Sequence, residues 1–270
     1  MHAHLPPQRF LPYLSWPDIA ALSDRENTVI VQPLGTVEQH GPHLPLLTDA
    51  LIASGVIGGA LARLDARIPA YALPVLCYGR SCEHAHFPGT VALGAETLLH
   101  LLLEVGDWVH QAGFRKLVFA NGHGGQPQVV EIAARDLRLR HPDMSVFPLS
   151  IWKVPNPAAS LMSARELAEG IHAGEAETSL MLALAPERVR MDLARAEYPK
   201  HPQGLLSVEG DLPFAWIVSD LSHSGVIGDP LGASADKGQI LLDALTQGWA
   251  DLLGEIHAFR QPNTRQRVEP

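Results

Sequence analysis

The stretch EQHGPHLPLLTD, Glu38–Asp49, holds two carboxylates and two histidines within twelve residues. A turn needs only the backbone habits of Gly, Pro, Asn or Asp, so this concentration points to chemistry. In an extended segment, side chains two apart share a face. That turns Glu38 and His40 toward one cavity and Gln39 away from it. Asp49 follows the Pro-rich return, at the predicted start of a helix. A carboxylate, an imidazole and a second carboxylate meeting at one point suit Zn²⁺, Mn²⁺ or Fe²⁺. The two oxygens of Asp49 can bridge a pair of such ions. His123 lies in NGHGG (121–125), where glycines let a metal or substrate approach the backbone. HAGEAETS (172–179) adds His172, Glu175 and Glu177 around a helix start.

Each segment alone has a plainer reading. Glu-Gln-His after a strand is commonly a solvated turn, a loop histidine is commonly just hydrogen-bonded, and two acids at a helix start suit the helix dipole. Three such segments, two of them directly after apolar strands, together predict a metal centre.

The elements that would position them alternate in type. Strands are predicted over 28–34, 71–77, 116–120 and 144–152 from short, apolar, β-branched runs. Helices are predicted over 49–64, 95–113, 127–141, 175–184 and 233–259, and a short one at SWPDIAAL with Ser15 as cap. Residues 153–170 and 195–222 read as irregular or mixed. Strand–helix alternation predicts an α/β fold with parallel strands covered on both faces. Ligands then bind beyond the carboxyl ends of the strands, so both His-bearing loops open on one side. No repeat or linker interrupts 1–270, which reads as a single domain.

Composition narrows the partners. The net charge of −9 argues against nucleic acid or an anionic membrane. No apolar run reaches membrane-spanning length, and the N-terminus MHAHLPPQRF lacks a secretory apolar core. Two cysteines in 270 residues fit a reducing cytoplasm.

Five segments, PLGTVEQHGPHLPLLTD, YGRSCEHAHFPGTVAL, FANGHGG, HAGEAETSLML and SGVIGDPLGASADKG, resemble in order and spacing the creatininase (creatinine amidohydrolase) family. That family also includes deformylases of formylamides and a peptidase that matures a redox peptide. The resemblance implies a three-layer α/β/α sandwich with a mostly parallel sheet, creatininase-like, often a hexamer, with two divalent ions per subunit bridged by an aspartate. By motif, Glu38, Asp49 and His123 serve one ion, and His40 and Asp49 the other. Creatininases proper place a further glutamate ligand two residues after the NGH histidine, where this chain has Gly125. Glu175 is the expected replacement, ahead of Glu177, which either substitutes in its place or orders the surroundings. His172 matches the histidine that helps transfer the proton. Ser81, Glu83 and His84 match a loop that reaches the substrate, or serve only as loop hydrogen bonders. Gly124 and Ala168 stand where creatininases carry a tyrosine and a tryptophan, which widens the pocket. Trp152 matches another aromatic wall, or is a core residue.

The expected reaction is hydrolysis of a C–N amide bond in a small cyclic amide or formamide by a metal-activated water, with Glu175 or Glu177 taking a proton. The alternatives are a peptidase of a short peptide tail and a non-catalytic metal-binding member. No serine nucleophile motif such as GxSxG is present.

Overall fold

A computed structural model describes residues 4–200 and 205–262. In chain order its elements are α1 (Trp16–Ala21), β1 (Val29–Leu34), α2 (Thr48–Arg63), β2 (Ala70–Ala72), α3 (Ala95–Gln111), β3 (Lys116–Asn121), α4 (Pro127–Arg140), β4 (Ser145–Ser150), α5 (Ala158–Leu161), α6 (Ala164–Glu169), α7 (Glu175–Leu184), α8 (Val218–Leu221) and α9 (Ala235–Ala258), with short 3-10 turns between some of them. The four strands form one parallel sheet in the order β2-β1-β3-β4.

A parallel sheet must bury both faces, and the strand residues divide accordingly. Val29 and Val31 of β1 and Val118 and Ala120 of β3 pack into a core with α2, α7 and α9. Ile30, Leu34, Leu117 and Phe119 point the opposite way, into a core with α3 and α4. This makes the three-layer α/β/α sandwich. Among the described residues, no helix is long and apolar enough to cross a membrane.

The strand expected over 71–77 is regular only at Ala70–Ala72. Pro74 has no N–H to give the ladder, although Leu76 still donates to the Pro33 carbonyl at 3.0 Å. Among the described residues, the α-helices in 153–170 and 195–222 are the short α5, α6 and α8. Strands β1 and β3 pair residue for residue and end together at Leu34 and Asn121. The loops leaving them therefore start at the same edge of the sheet, and the candidate centre lies there.

Candidate metal centre

After β1 the chain makes a tight return. Gly41 adopts φ 66°, His40 bridges antiparallel to Leu44, and the Glu38 N–H donates to the Leu46 carbonyl at 3.0 Å. A left-handed φ is readily available only to glycine. The return delivers Asp49 into the first turn of α2, where the Thr36 hydroxyl donates to Oδ2 at 2.5 Å. On the neighbouring strand, Asn121 shapes the next loop. Its Nδ2 donates to the His123 carbonyl at 2.7 Å, and its Oδ1 accepts the His123 N–H at 3.2 Å.

These two loops bring four predicted residues together. Asp49 Oδ1 lies 3.2 Å from His40 Nε2, and Asp49 Oδ2 lies 3.1 Å from His123 Nδ1. Glu38 Oε1 lies 3.2 Å from His123 Nδ1 and 3.9 Å from His40 Nε2. All four side chains are buried. Each oxygen of Asp49 thus faces a different histidine.

The third segment arrives through an antiparallel bridge of His172 to Ile227. Ala173 then takes φ 54°, a conformation that costs a residue with a Cβ about 1–2 kcal/mol. This turn starts α7 and aims the Ala173 N–H at Glu177 Oε2, 2.6 Å away. Glu177 Oε1 reaches to 4.0 Å from His40 Nε2. Glu175, the expected ligand, lies outside this cluster. Residues two apart on a helix do not face each other, and the Glu175 carboxylate turns to Lys237 of α9, with which it forms a partly buried ion pair. Among the described residues, Glu177 and not Glu175 enters a ligand-like group, with His40 and His172; Glu38, His40 and Asp49 form another, and Glu38, His84 and His172 a third.

Gly125 has a specific neighbour. A Cβ built there would lie 1.6 Å from Glu83 Oε1 and 2.6 Å from His123 Nε2. The carboxylate of Glu83 occupies the space that a side chain at 125 would enter. It meets His123 Nε2 at 3.2 Å, beside the Arg80 carbonyl at 3.1 Å. His123 therefore keeps a proton on Nε2, and in its neutral form, the one that can bind an ion, it turns the Nδ1 lone pair toward Glu38 and Asp49. His40 is held likewise, with Nδ1 3.2 Å from the Glu38 carbonyl. Ser81, expected to reach substrate, is buried with its Oγ unpartnered, while Arg80, Cys82, Glu83 and His84 around it line the cavity. At Gly124 an added Cβ would meet nothing within 4 Å. Trp152 lines the cavity and donates its indole N–H to the Gly122 carbonyl at 3.1 Å.

Gln39 departs from the alternation argument. It is buried, and its side chain contacts His84 and Gly225 rather than solvent. The loop closes at Gly41 instead of continuing as a strand, so strict alternation ends there. Thr36, Gln39 and the link from Glu83 to His123 were not read from sequence as parts of the centre. The adjacent Glu83-His84 pair was the one signal that pointed to them.

The electrostatics call for positive charge. Neither carboxylate oxygen of Glu38 accepts a hydrogen bond of normal geometry, although both are buried. A buried carboxylate left in this way is costly and marks a place for an ion. Burial opposes a charged His40, but the charges of Asp49, Glu177 and Glu38 outweigh it and raise its pKa to about 9. His123 is raised well above its usual value in the same way, against burial, by Glu38, Asp49 and Glu83. Glu177 is pushed up to about 7, chiefly by burial, with the charges of Asp49 and Glu38 adding to it. The nitrogen and carboxylate donors, inward lone pairs and unpartnered Glu38 fit a centre for divalent transition ions.

Above this centre opens a cavity of about 1130 Å³, lined on the centre side by Asp49, His84, His123, His172 and Glu177. Its far wall carries Val208, Phe214, Trp216 and Ile217. A parallel α/β sandwich with a buried carboxylate–histidine cluster at the carboxyl edge of its sheet defines a class of metal-binding hydrolase folds. The model of the creatininase family (creatinine amidohydrolase) matches residues 12–253, and the chain belongs to that family.

The chain is 36% identical over 227 residues to the mycofactocin precursor peptide peptidase of Mycobacterium ulcerans (strain Agy99), covering 78% of each. It is 31% identical over 263 residues to the creatinine amidohydrolase of Pseudomonas putida, covering 91% of this chain and 96% of that one. Among solved structures, creatinine amidohydrolase (creatininase) superposes with a TM-score of 0.74 at 30% identity, covering 93% of this chain and 99% of that one. Similar creatininase structures include a manganese form and a Zn-Zn form.

Proposed function

We propose that this creatininase-family hydrolase cleaves a C–N amide bond in a short peptide segment, using two divalent ions. The observation that carries the reading is the size and lining of the cavity. At about 1130 Å³ it exceeds the roughly 300–1,000 Å³ usual for small-molecule pockets, and a single flat lactam would leave most of it empty. The apolar far wall suits peptide side chains, and the relatives named as peptidases support the same choice over a non-peptide amide.

Glu38, Asp49 and His123 would hold one ion, and His40, Asp49 and Glu177 the other, with Asp49 shared. The ions, when bound, supply Lewis acidity that polarises a carbonyl and makes a water more acidic. His172 presents a lone pair on Nδ1, because its Nε2–H is spent on the Gln39 carbonyl at 2.7 Å. It takes the proton of the attacking water and returns it to the nitrogen released when the C–N bond breaks. Trp152 and the far wall exclude water and hold the substrate. Glu83 keeps His123 aimed through Nε2, the outer support that histidine ligands ordinarily need. A homo-oligomer belongs to this proposal.

The test is turnover by zinc- or manganese-loaded protein of creatinine, larger lactams, formamides and short peptides. Short peptides should be the best substrates and creatinine poor. A preference for a small cyclic amide would favour the second reading, which the family name supports. Stoichiometric ion binding with no turnover of any amide would favour a metal-binding role alone.

A further inference from the structure

The centre holds four histidines whose rings crowd together. His40 and His84 each lie 4.3 Å, centroid to centroid, from His172. Their hydrogen bonds divide them by the face each turns inward. His40, His123 and His172 each donate an N–H outward, to the Glu38 carbonyl, to the Arg80 carbonyl with Glu83, and to the Gln39 carbonyl. In its neutral form each therefore turns a lone pair inward.

His84 differs, and Gln39 is the cause. The Gly41 N–H donates to Gln39 Oε1 at 2.8 Å, so that atom must be the oxygen. The amide nitrogen then donates to the Gly225 carbonyl at 3.0 Å and meets His84 Nδ1 at 2.8 Å. A carbonyl only accepts, so the Gly225 contact confirms the orientation of the amide. Both amide hydrogens are engaged, one on each partner. The Nδ1 of His84 must therefore accept, which leaves its proton on Nε2. That Nε2 faces inward, 3.4 Å from Glu38 Oε1. Nothing larger than glycine fits at 225, where an added Cβ would lie 2.0 Å from Gln39 Oε1 and the backbone has φ 85°. The amide is held in a built slot.

We infer that Gln39 is a positioning residue that fixes His84 as an inward N–H donor, not a metal ligand, beside His172 as an inward lone pair. His84 sits with Glu38 and His172 in a ligand-shaped group, yet a neutral imidazole whose one lone pair is spent on Gln39 has none for an ion. An inward N–H at the cavity wall instead offers a hydrogen bond to an oxygen that gains negative charge, such as that of an attacked carbonyl. One residue thus sets both rings: its side chain makes His84 the donor, and its main-chain carbonyl makes His172 the acceptor. The donor's use in turnover rests on the amidohydrolase reading above, but the tautomer does not.

The test is nitrogen-15 NMR of zinc-loaded protein with ring-labelled histidine, the His84 signals being identified by their loss in His84→Gln. Wild-type protein should show His84 protonated at Nε2, with a hydrogen-bonded, unprotonated Nδ1. Gln39→Glu puts an acceptor against Nδ1 and should move the proton to Nδ1. Zinc content should be unchanged in both variants. With a short peptide that wild type cleaves, kcat should fall about a hundredfold with little change in KM, as for loss of one transition-state donor. His84 protonated at Nδ1 in the wild type, or zinc lost from His84→Gln, overturns the inference. The wild-type spectrum decides the matter even if Gln39→Glu does not fold. Failure to cleave any amide, with the tautomer as stated, counts against the function and not against the role of Gln39.

Discussion

Glu38 and Glu166 are both buried carboxylates within this chain, and they are treated in opposite ways. Glu166, on α6, is saturated with donors. Its Oε1 accepts the Glu175 N–H at 2.7 Å, and its Oε2 accepts the Asp229 N–H at 2.8 Å and the Tyr198 hydroxyl at 2.9 Å. It ties three segments to one another around the start of α7. Glu38 accepts no hydrogen bond of normal geometry on either oxygen and is surrounded by histidine nitrogens. Burial alone therefore does not mark a functional acid. What distinguishes them is whether the fold supplies the hydrogen bonds or leaves them to something the chain must bind.

The contrast breaks most visibly at Glu38 itself. Glu38→Gln should abolish high-affinity binding of one ion and lower turnover by more than the roughly ten- to hundredfold that outer supporting residues cost. The ion-free variant should also lose part of the stability that protonated His40 and His123 give ion-free wild type, since Glu38 is one of the charges that raise them. Elemental analysis and thermal melts of the same preparation check both halves.

Glu166→Ala should do the reverse. It strands two backbone N–H groups and a phenol, at about 1–3 kcal/mol for each group left unsatisfied, so a loss on the order of 3 kcal/mol or more is expected in denaturant melts. The folded fraction should still bind its ions. If ions are lost before folding is, the two carboxylates are not separable in this way.

A narrower contrast is available on α7. Glu177→Gln should weaken one ion at least about tenfold by competition titration, while Glu175→Gln, which breaks the ion pair with Lys237, should change stability and leave ion affinity alone. Equal effects on affinity would show that the turn at Ala173 does not select between the two acids.

The smallest effect is a pH slope. In ion-free protein His40 is raised from 6.5 to about 9, and His123 is raised as well. A raised histidine stabilises the folded state fully below its unfolded pKa, and that contribution is lost as pH rises through the folded value. Glu177, raised to about 7, has lost its own contribution by then. Between pH 7 and 9 the ion-free protein should therefore melt at progressively lower temperature, by a few degrees, and saturating zinc should flatten the slope. A flat profile without ions would mean that the cluster does not hold protons in place of metal.

Several of these distinctions were within reach of the sequence, for identifiable reasons. Glu38, His40, Asp49 and His123 come from segments adjacent in sequence to strand ends or a helix start, where local geometry sets direction, and the structure brings them together. Glu175 was misplaced because a helix start was recognised but its rotation was not. Which of two acids faces the centre depends on the left-handed turn at Ala173 and on Lys237, more than sixty residues away on α9. Gln39 was misplaced because alternation was extended past the point where Gly41 ends it.

By itself the sequence determined the parallel α/β architecture, the family, and the local motifs that supply carboxylates and imidazoles, because strand and helix periodicities and short motifs are encoded over neighbouring residues. Only the tertiary structure decided which acid each ring meets, that Glu83 occupies the space open at Gly125, and that Gln39 lies between His84 and His172. Those outcomes depend on contacts between segments far apart in the chain, and a hydrogen atom's place on a ring is set by whichever donor or acceptor the fold brings to its other side.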